Sequence, residues 1–411
     1  MDAVEEFKSE VCAEADRLKD EILRVSRQMH ENPELGSEEY LACDLLTSKL
    51  AEHGFQVEKG FLNMRTAFKA IYRAAKPGPR IGLLAEYDAL PGVGHGCGHN
   101  IIAASTYGAA IALAKVVDRL GGEIVLYGTP DEEGHGPYRG SKIIMANQGA
   151  FNNVDVVLTM HPSSSEKAAT RKQALAIRSF RVQFFGHTAH AAADPWKGVN
   201  ALNGLRLMFQ AIDALRQHMR RDGRIHGIIV KGGEASNVIP DYVEAAMSVR
   251  AADLTYLDEL TEKFKNCALG AALATGTKVE ITPAGLMYRE ILLIESLAEV
   301  LEGNLRKLGL VVEDPVEALL RGPLGSTDYG NVSLVVPSAT VSMPISPVEL
   351  PGHSKEFAEA AVSEFGNEAL MRTVKALAMT VVDILSRPGL LEKLKKEFEE
   401  KRAKPPKAVT Y

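Results

Sequence analysis

The sequence is poor in the features that mark a membrane, nucleic-acid-binding or secreted protein. No apolar run approaches the ~20 residues that a bilayer-spanning helix needs. The formal charge of -6 is dispersed, without a basic stripe or polybasic tail, which argues against nucleic acid as a partner. The N-terminal stretch MDAVEEFKSEV has neither a basic n-region nor an apolar h-region, so no signal peptide is read there. Only four cysteines occur, Cys12, Cys43, Cys97 and Cys267, and their scatter suggests no disulfide framework. A reducing, cytoplasmic setting is therefore expected, with no membrane partner. Low-complexity segments and short repeats are lacking too, apart from a charged C-terminal tail, EKLKKEFEEKRAKPPK. What remains is a chain of 411 residues, 46% apolar, enough for two or three domains with sizeable cores.

The most informative stretch is EYDALPGVGHGCGHN, residues 86–100, where Cys97 and His99 stand two apart among glycines. Both side chains can turn toward one point only if the backbone bends freely, and Gly94, Gly96 and Gly98 are expected to allow that. Thiolate and imidazole are donors that zinc favours and other divalent transition metals accept. Glu86 and Asp88, just upstream, are able to hydrogen-bond a ligating imidazole or complete a charge shell.

Further donors follow at strand ends. The apolar run Ile124 to Tyr127 breaks at Pro130 into Asp131, Glu132 and Glu133. The run VDVVLTM leads directly into His161, and IGLLAEY leads into Glu86 and Asp88. Three strands thus deliver acidic or imidazole groups at their carboxyl ends, where open α/β sheets place their ligand crevice. His353, in PGHSKEF, opens a late loop and is the remaining imidazole suited to such a cluster.

Apolar residues from Val4 to Met29 recur at three- and four-residue steps, predicting one long amphipathic helix that ends near Asn32 and Pro33. A second helix is expected around Tyr40 to Glu52. Strands alternating with helical stretches such as IIAASTYGAAIALAKVVDRL predict an α/β domain with a mostly parallel sheet and helices on both faces. Residues 174–287 instead read strand, helix, strand, strand, helix, strand, the order of a ferredoxin-like α+β unit. Since His353 lies beyond that unit and the other donors before it, the outer domain is discontinuous, 1–173 and 288–411, with 174–287 inserted.

Bland readings compete at every position. Cys97 and His99 could be a glycine turn around a buried thiol. GVGHGCG evokes a dinucleotide loop, but Cys97 occupies the place of the third glycine and no small helix-opening residue follows in register. A cysteine nucleophile is disfavoured because neighbouring carboxylates raise a thiol's pKa. Glu132 and Glu133 alone suit a solvated turn, and His161 and His353 alone suit loop ends. His95, His135 and His187 are assigned no role, and His30 is read as stabilising the turn after the first helix. The joint occurrence carries the argument.

Taken together, GHGCGHN, PDEEG, the strand-end MH, GHTAHA and GSTDYGNVS resemble the M20 metallopeptidases, in the amidohydrolase branch that uses a cysteine ligand. DPWKGVNALNG and RIHGIIVKGG place the resemblance closest to the peptidase M20 domain-containing protein 2 group, with p-aminobenzoyl-glutamate hydrolase as a neighbouring relative. The resemblance implies a metallo-amidohydrolase with Cys97, His99, Glu133, His161 and His353 holding one or two divalent ions, zinc before manganese or cobalt. It implies Glu132 as general base and then acid, Asp88 behind the ligands, and His190 of GHTAHA reaching the partner subunit's site to steady the oxyanion. It also implies Asn237 and Arg250 as the grip on a substrate carboxylate, and a lid and dimerisation role for 174–287 in a homodimer. The substrate implied is a dipeptide of the Xaa-Lys, Xaa-Arg or ornithine type. An aminoacylase, an aroyl-amino-acid amidohydrolase and an inactive metal-containing binding protein stay open beside it. Glu86 stands where many relatives carry aspartate, and its role is left open.

Overall fold

The computed structural model describes residues 3–323 and 325–403. They form two compact units. The first contains the residues up to Gln173, Ile291–Gly322 and those from Asn331 on; the second contains Ala174–Glu290 and Pro323–Gly330. The last residues of the charged tail, 404–407, lie outside the described residues.

The first unit is built on a six-stranded sheet of β1 (Gln56–Lys59), β2 (Phe68–Arg73), β3 (Arg80–Ala85), β4 (Glu123–Gly128), β5 (Val156–Ser163) and β10 (Ser338–Pro344), in the order β1-β2-β4-β3-β5-β10. The β4-β3, β3-β5 and β5-β10 pairings are parallel, and β1 and β2 add an antiparallel edge. The parallel strands carry continuous apolar runs such as Ile81 to Ala85 because helices cover them. The helix His99–Leu120 packs on β3, β4 and β5, and the helices Glu295–Lys307 and Glu364–Ser386 pack on β10. Each fully buried Ile, Leu or Val in that core contributes ~1.5–3 kcal/mol.

Several sequence-based expectations need correction. The N-terminal helix is two helices, Ala3–Arg17 and Lys19–Glu31, interrupted at Leu18 (φ -91°, ψ 0°). The side-chain periodicity runs on across that break because Ile22 N still bonds to Leu18 O at 3.0 Å. β5 continues through His161 to Ser163, so His161 lies within a strand and pairs in register with Ser342. His99–Leu120 is long and apolar enough to cross a membrane by length and composition, contrary to the reading of the sequence, yet 94% of its apolar window is buried inside the unit. A helix apolar all round is what a core position demands.

The second unit runs β6 (Ala176–Phe185), helix Ala201–Arg216, β7 (Arg224–Lys231), β8 (Tyr242–Ala251), helix Leu254–Thr275 and β9 (Lys278–Pro283). Its antiparallel sheet has the order β7-β8-β6-β9. Alternate residues of β8, from Val243 to Ala251, face a core shared with Leu205, Met208, Leu260 and Phe264 of the two helices. Asn200 and Asp253 cap those helices, their side chains accepting Leu202 N and Tyr256 N. The sequence places the insert's limit at residue 287, whereas Tyr288 pairs with Ile177 in both directions and the unit extends to Glu290.

Candidate metal centre

All the first unit's candidate residues follow or end its parallel strands. Glu86 and Asp88 follow β3, Asp131 to Glu133 follow β4, His161 sits near the end of β5, and His353 lies in the loop after β10. Cys97 and His99 close the glycine segment that starts the helix His99–Leu120, where Gly98 takes a left-handed φ of 72°. Gly96 contributes differently from expectation: its φ is not positive, but a Cβ there would lie 2.6 Å from Val93 and 3.1 Å from Ser354 O. Its bareness admits the late loop, whose His353 N bonds Gly96 O at 3.0 Å.

The side chains converge as two donor groups that share a thiol. Cys97, His99 and His161 form one group, and Cys97, Glu133 and His353 the other; within each, one donor atom per residue lies within 4.8 Å of the rest. A third grouping joins His99, Glu132 and Glu133 within the same limit. Cys97 Sγ is 3.5 Å from His161 Nε2, and His353 Nε2 is 3.5 Å from Glu133 Oε1. His353 takes a left-handed φ of 62°, uncommon for a residue with a Cβ and held here by its bond to Gly96.

Two observations show that the donor set fits a divalent cation. His99 Nε2 and Glu133 Oε1 are both buried without a hydrogen-bond partner, 3.9 Å apart. Such orphans are costly unless something else satisfies them. The second is the donor chemistry, a thiol with imidazoles and a carboxylate. His99 Nδ1 is engaged by Asp88 Oδ1 at 2.8 Å, which aims Nε2 at the cluster.

Burial and neighbouring charges set the protonation of each donor, and they differ from one donor to the next. Burial pushes the Cys97 thiol up to about 12. Burial pushes His161 down to about 3, with Lys172 adding to the effect, so its imidazole is neutral. His99 is opposed by burial, but Asp88 and Cys97 outweigh it and hold its pKa well above the histidine range. Glu86 is likewise opposed by burial, yet Lys142 and His99 hold its carboxyl below the usual range.

His190, Asn237 and Arg250 belong to the second unit. His190 is exposed and accepts the N–H groups of Ala192 and Ala193 on Nδ1 at 3.2 and 3.1 Å, which leaves Nε2 to carry the proton. Asn237 is brought beside it, its carbonyl accepting Ala191 N at 2.9 Å. Arg250 is half-buried on β8, reaching Ser326 Oγ at 3.1 Å and His226 Nε2 at 3.2 Å.

Sequence reasoning missed Lys142, fully buried with Nζ 3.0 Å from Glu86 Oε1. It also missed Lys172, close enough to Glu86, Glu132 and Cys97 to feel their charge. A lysine opening the apolar turn SKIIMAN was the available signal for Lys142; for Lys172 nothing local distinguished it from a surface residue.

Residues 176–274 match the model of the peptidase dimerisation domain of M20 enzymes. Over 96% of its length the chain is 37% identical to the Xaa-Arg dipeptidase of Mus musculus, covering 93% of that protein. It is 28% identical to one of the subunits of p-aminobenzoyl-glutamate hydrolase from Escherichia coli K12, over 94% of this chain and 93% of that one. Among solved structures, a dinuclear metal-binding M20 peptidase from Bacillus subtilis superposes with a TM-score of 0.69 at 18% identity, covering 90% of this chain and 99% of that one. Full-length similarity to the mouse dipeptidase, over a sheet whose strand ends carry these donors, leaves one assignment: the chain is a member of the M20 peptidase family.

Proposed function

We propose that this protein is a metal-dependent dipeptidase that hydrolyses the amide bond of dipeptides with a basic C-terminal residue, of the Xaa-Arg, Xaa-Lys or Xaa-ornithine type. The observation that carries the reading is the pair of donor groups sharing Cys97, with Glu132 beside them, in a chain similar throughout to an Xaa-Arg dipeptidase. Cys97, His99 and His161 would hold one divalent ion, and Cys97, Glu133 and His353 a second. Zinc is the first choice for such donors, ahead of manganese and cobalt. A divalent ion there supplies Lewis-acid polarisation of the scissile carbonyl and makes water acidic near neutral pH.

The chain's own residues do the rest. Glu132 accepts the proton of the attacking water and passes it to the leaving amine. His190 Nε2–H is a donor for the oxygen that gains charge in the transition state, a contribution typically worth ~3 kcal/mol. Asn237 and Arg250 fix the substrate's terminal carboxylate. The second unit doubles as a dimerisation module: β7 is an edge strand with Ile228, Ile229 and Val230 exposed, a template for pairing with a second copy.

Purified protein loaded with zinc, manganese or cobalt should cleave β-alanyl-lysine and Xaa-Arg dipeptides. Glu132→Gln should lose at least about 1,000-fold in kcat while keeping its metal content. Wild-type turnover in that variant rejects the assignment of the base. Faster cleavage of p-aminobenzoyl-glutamate than of any dipeptide favours the aroyl-amino-acid amidohydrolase reading, which the relative from Escherichia coli supports.

A further inference from the structure

The motif ENPELGSEE, residues 31–39, is not used by the chemistry above, yet its turn is tied to both acidic loops of the metal centre. Glu34 O accepts the N–H of Ala89, the residue after Asp88, at 2.8 Å. Glu39 Oε1 accepts the N–H of Asp131 at 2.7 Å, and Thr66 Oγ1 bonds Glu39 Oε2 at 2.7 Å. Ser37 Oγ donates to Asp131 Oδ2 at 2.7 Å and accepts Tyr138 N at 2.9 Å. The Asp131 carboxylate also takes His135 N at 2.8 Å and Gly136 N at 3.1 Å, closing the loop that carries Glu132 and Glu133 into a ring around itself. Ser37, Glu39, Thr66 and Asp131 are all buried.

Asp131 is held in the left-handed region, φ 58°, immediately before the two glutamates. Aspartate visits that region more readily than most residues with a Cβ, because its short polar side chain bonds to nearby backbone. The fit on the other side is equally tight: a Cβ on Gly36 would fall 2.0 Å from Asp131 Oδ1. The backbone direction at Glu132 is therefore set by a contact spanning 94 residues of sequence, not by the local PDEEG turn alone.

We propose that Ser37, Glu39 and Asp131 form a clamp of positioning residues that sets the backbone of the Glu132–Glu133 loop and so aims the general base. The proposal rests on the reading of Glu132 as that base. Misplacement of a catalytic group by ~1 Å costs about 100-fold in rate. Asp131→Ala should therefore lower kcat about 100-fold, with KM for an Xaa-Arg dipeptide within about threefold and metal per chain at the wild-type level. Asp131→Asn keeps the tolerance for positive φ and one acceptor oxygen, and should recover at least about tenfold of the loss. In cobalt-substituted protein the visible absorption, which senses Glu133, should change in the alanine variant and return in the asparagine variant.

Three results overturn the clamp. They are kcat within twofold of wild type in Asp131→Ala, an unchanged cobalt spectrum in that variant, or equal losses in both variants accompanied by lost metal and a lowered Tm. If Asp131→Ala does not fold, Ser37→Ala removes one bond to the same carboxylate; an about tenfold fall in kcat supports the clamp and a wild-type kcat overturns it. Glu132→Gln separates the two readings. An active Glu132→Gln overturns the base itself, whereas an inactive one beside a fully active Asp131→Ala overturns the clamp alone.

Discussion

Asp88 Oδ1 lies 2.8 Å from His99 Nδ1, and the other oxygen of the same carboxylate accepts the Glu133 N–H at 2.9 Å. One buried side chain thus orients two donors from different parts of the chain, one at the start of the helix His99–Leu120 and one in the loop after β4. Burial opposes its charge, but His99 and the Glu133 N–H hold the Asp88 carboxyl below its usual range, so it acts as an acceptor throughout the working pH range.

Removing that carboxylate frees the His99 ring to rotate and lets the Glu133 backbone drift. Asp88→Ala should weaken metal binding by about 10–100-fold, the usual effect of losing a partner behind a ligand. Competition against a chromophoric chelator measures it. An affinity equal to wild type would mean that Asp88 orients neither donor.

Glu39 provides a pH-dependent test of stability. Burial pushes its carboxyl up to about 7 from an ordinary 4.5, and Asp88 adds to the rise while Thr66 partly offsets it. Between those values the folded chain holds a proton that the unfolded chain has released. The stabilisation is complete below pH 4.5, declines as pH rises through 7, and is gone above it, a change on the order of 3 kcal/mol. When the acid is protonated, Oε1 still accepts the Asp131 N–H, and only the Thr66 bond reverses, the carboxyl hydroxyl donating to Thr66 Oγ1. Wild-type Tm should therefore fall more steeply from pH 5 to pH 8 than that of Glu39→Gln, which carries no titrating group. Parallel Tm profiles for the two proteins would show that Glu39 does not titrate in this range.

The sequence made the second unit readable because its signals are local. Alternation along YVEAAMSVRA and helical periodicity in the segment after Asp253 each lie within one element, and β8 and the helix Leu254–Thr275 follow them. The parallel strands near the metal centre were readable for a related reason: apolar runs that stop at charged residues. β1, β2 and β10 gave no such contrast. QVEK is polar on an edge, and SATVSMP mixes small polar residues into a buried strand whose pairing partner, β5, lies far away in sequence. The same distance hid the partnership of Ser37 with Asp131 and of Lys142 with Glu86, since neither residue type announces its partner. Donor types could be read residue by residue. Which of them share an ion is a property of the folded chain.

The last test concerns assembly. Among the described residues β7 pairs only with β8, and its Ile228, Ile229 and Val230 are 66%, 48% and 55% exposed. An edge strand with that much apolar surface invites a partner strand. Replacing Ile228 and Val230 together by lysine leaves the inward Ile225 untouched and should convert a dimer into a monomer in sedimentation velocity. If His190 serves the site of the partner subunit, two inactive variants should complement one another. Mixing Glu132→Ala with His190→Ala and letting subunits exchange makes half the dimers mixed, and each mixed dimer contains one site with both groups intact. Activity should then rise to about one quarter of wild type, as two-fold symmetry requires. A mixture that stays inactive after demonstrated exchange places His190 in service of its own chain, and an unmixed His190→Ala with wild-type kcat removes it from the reaction.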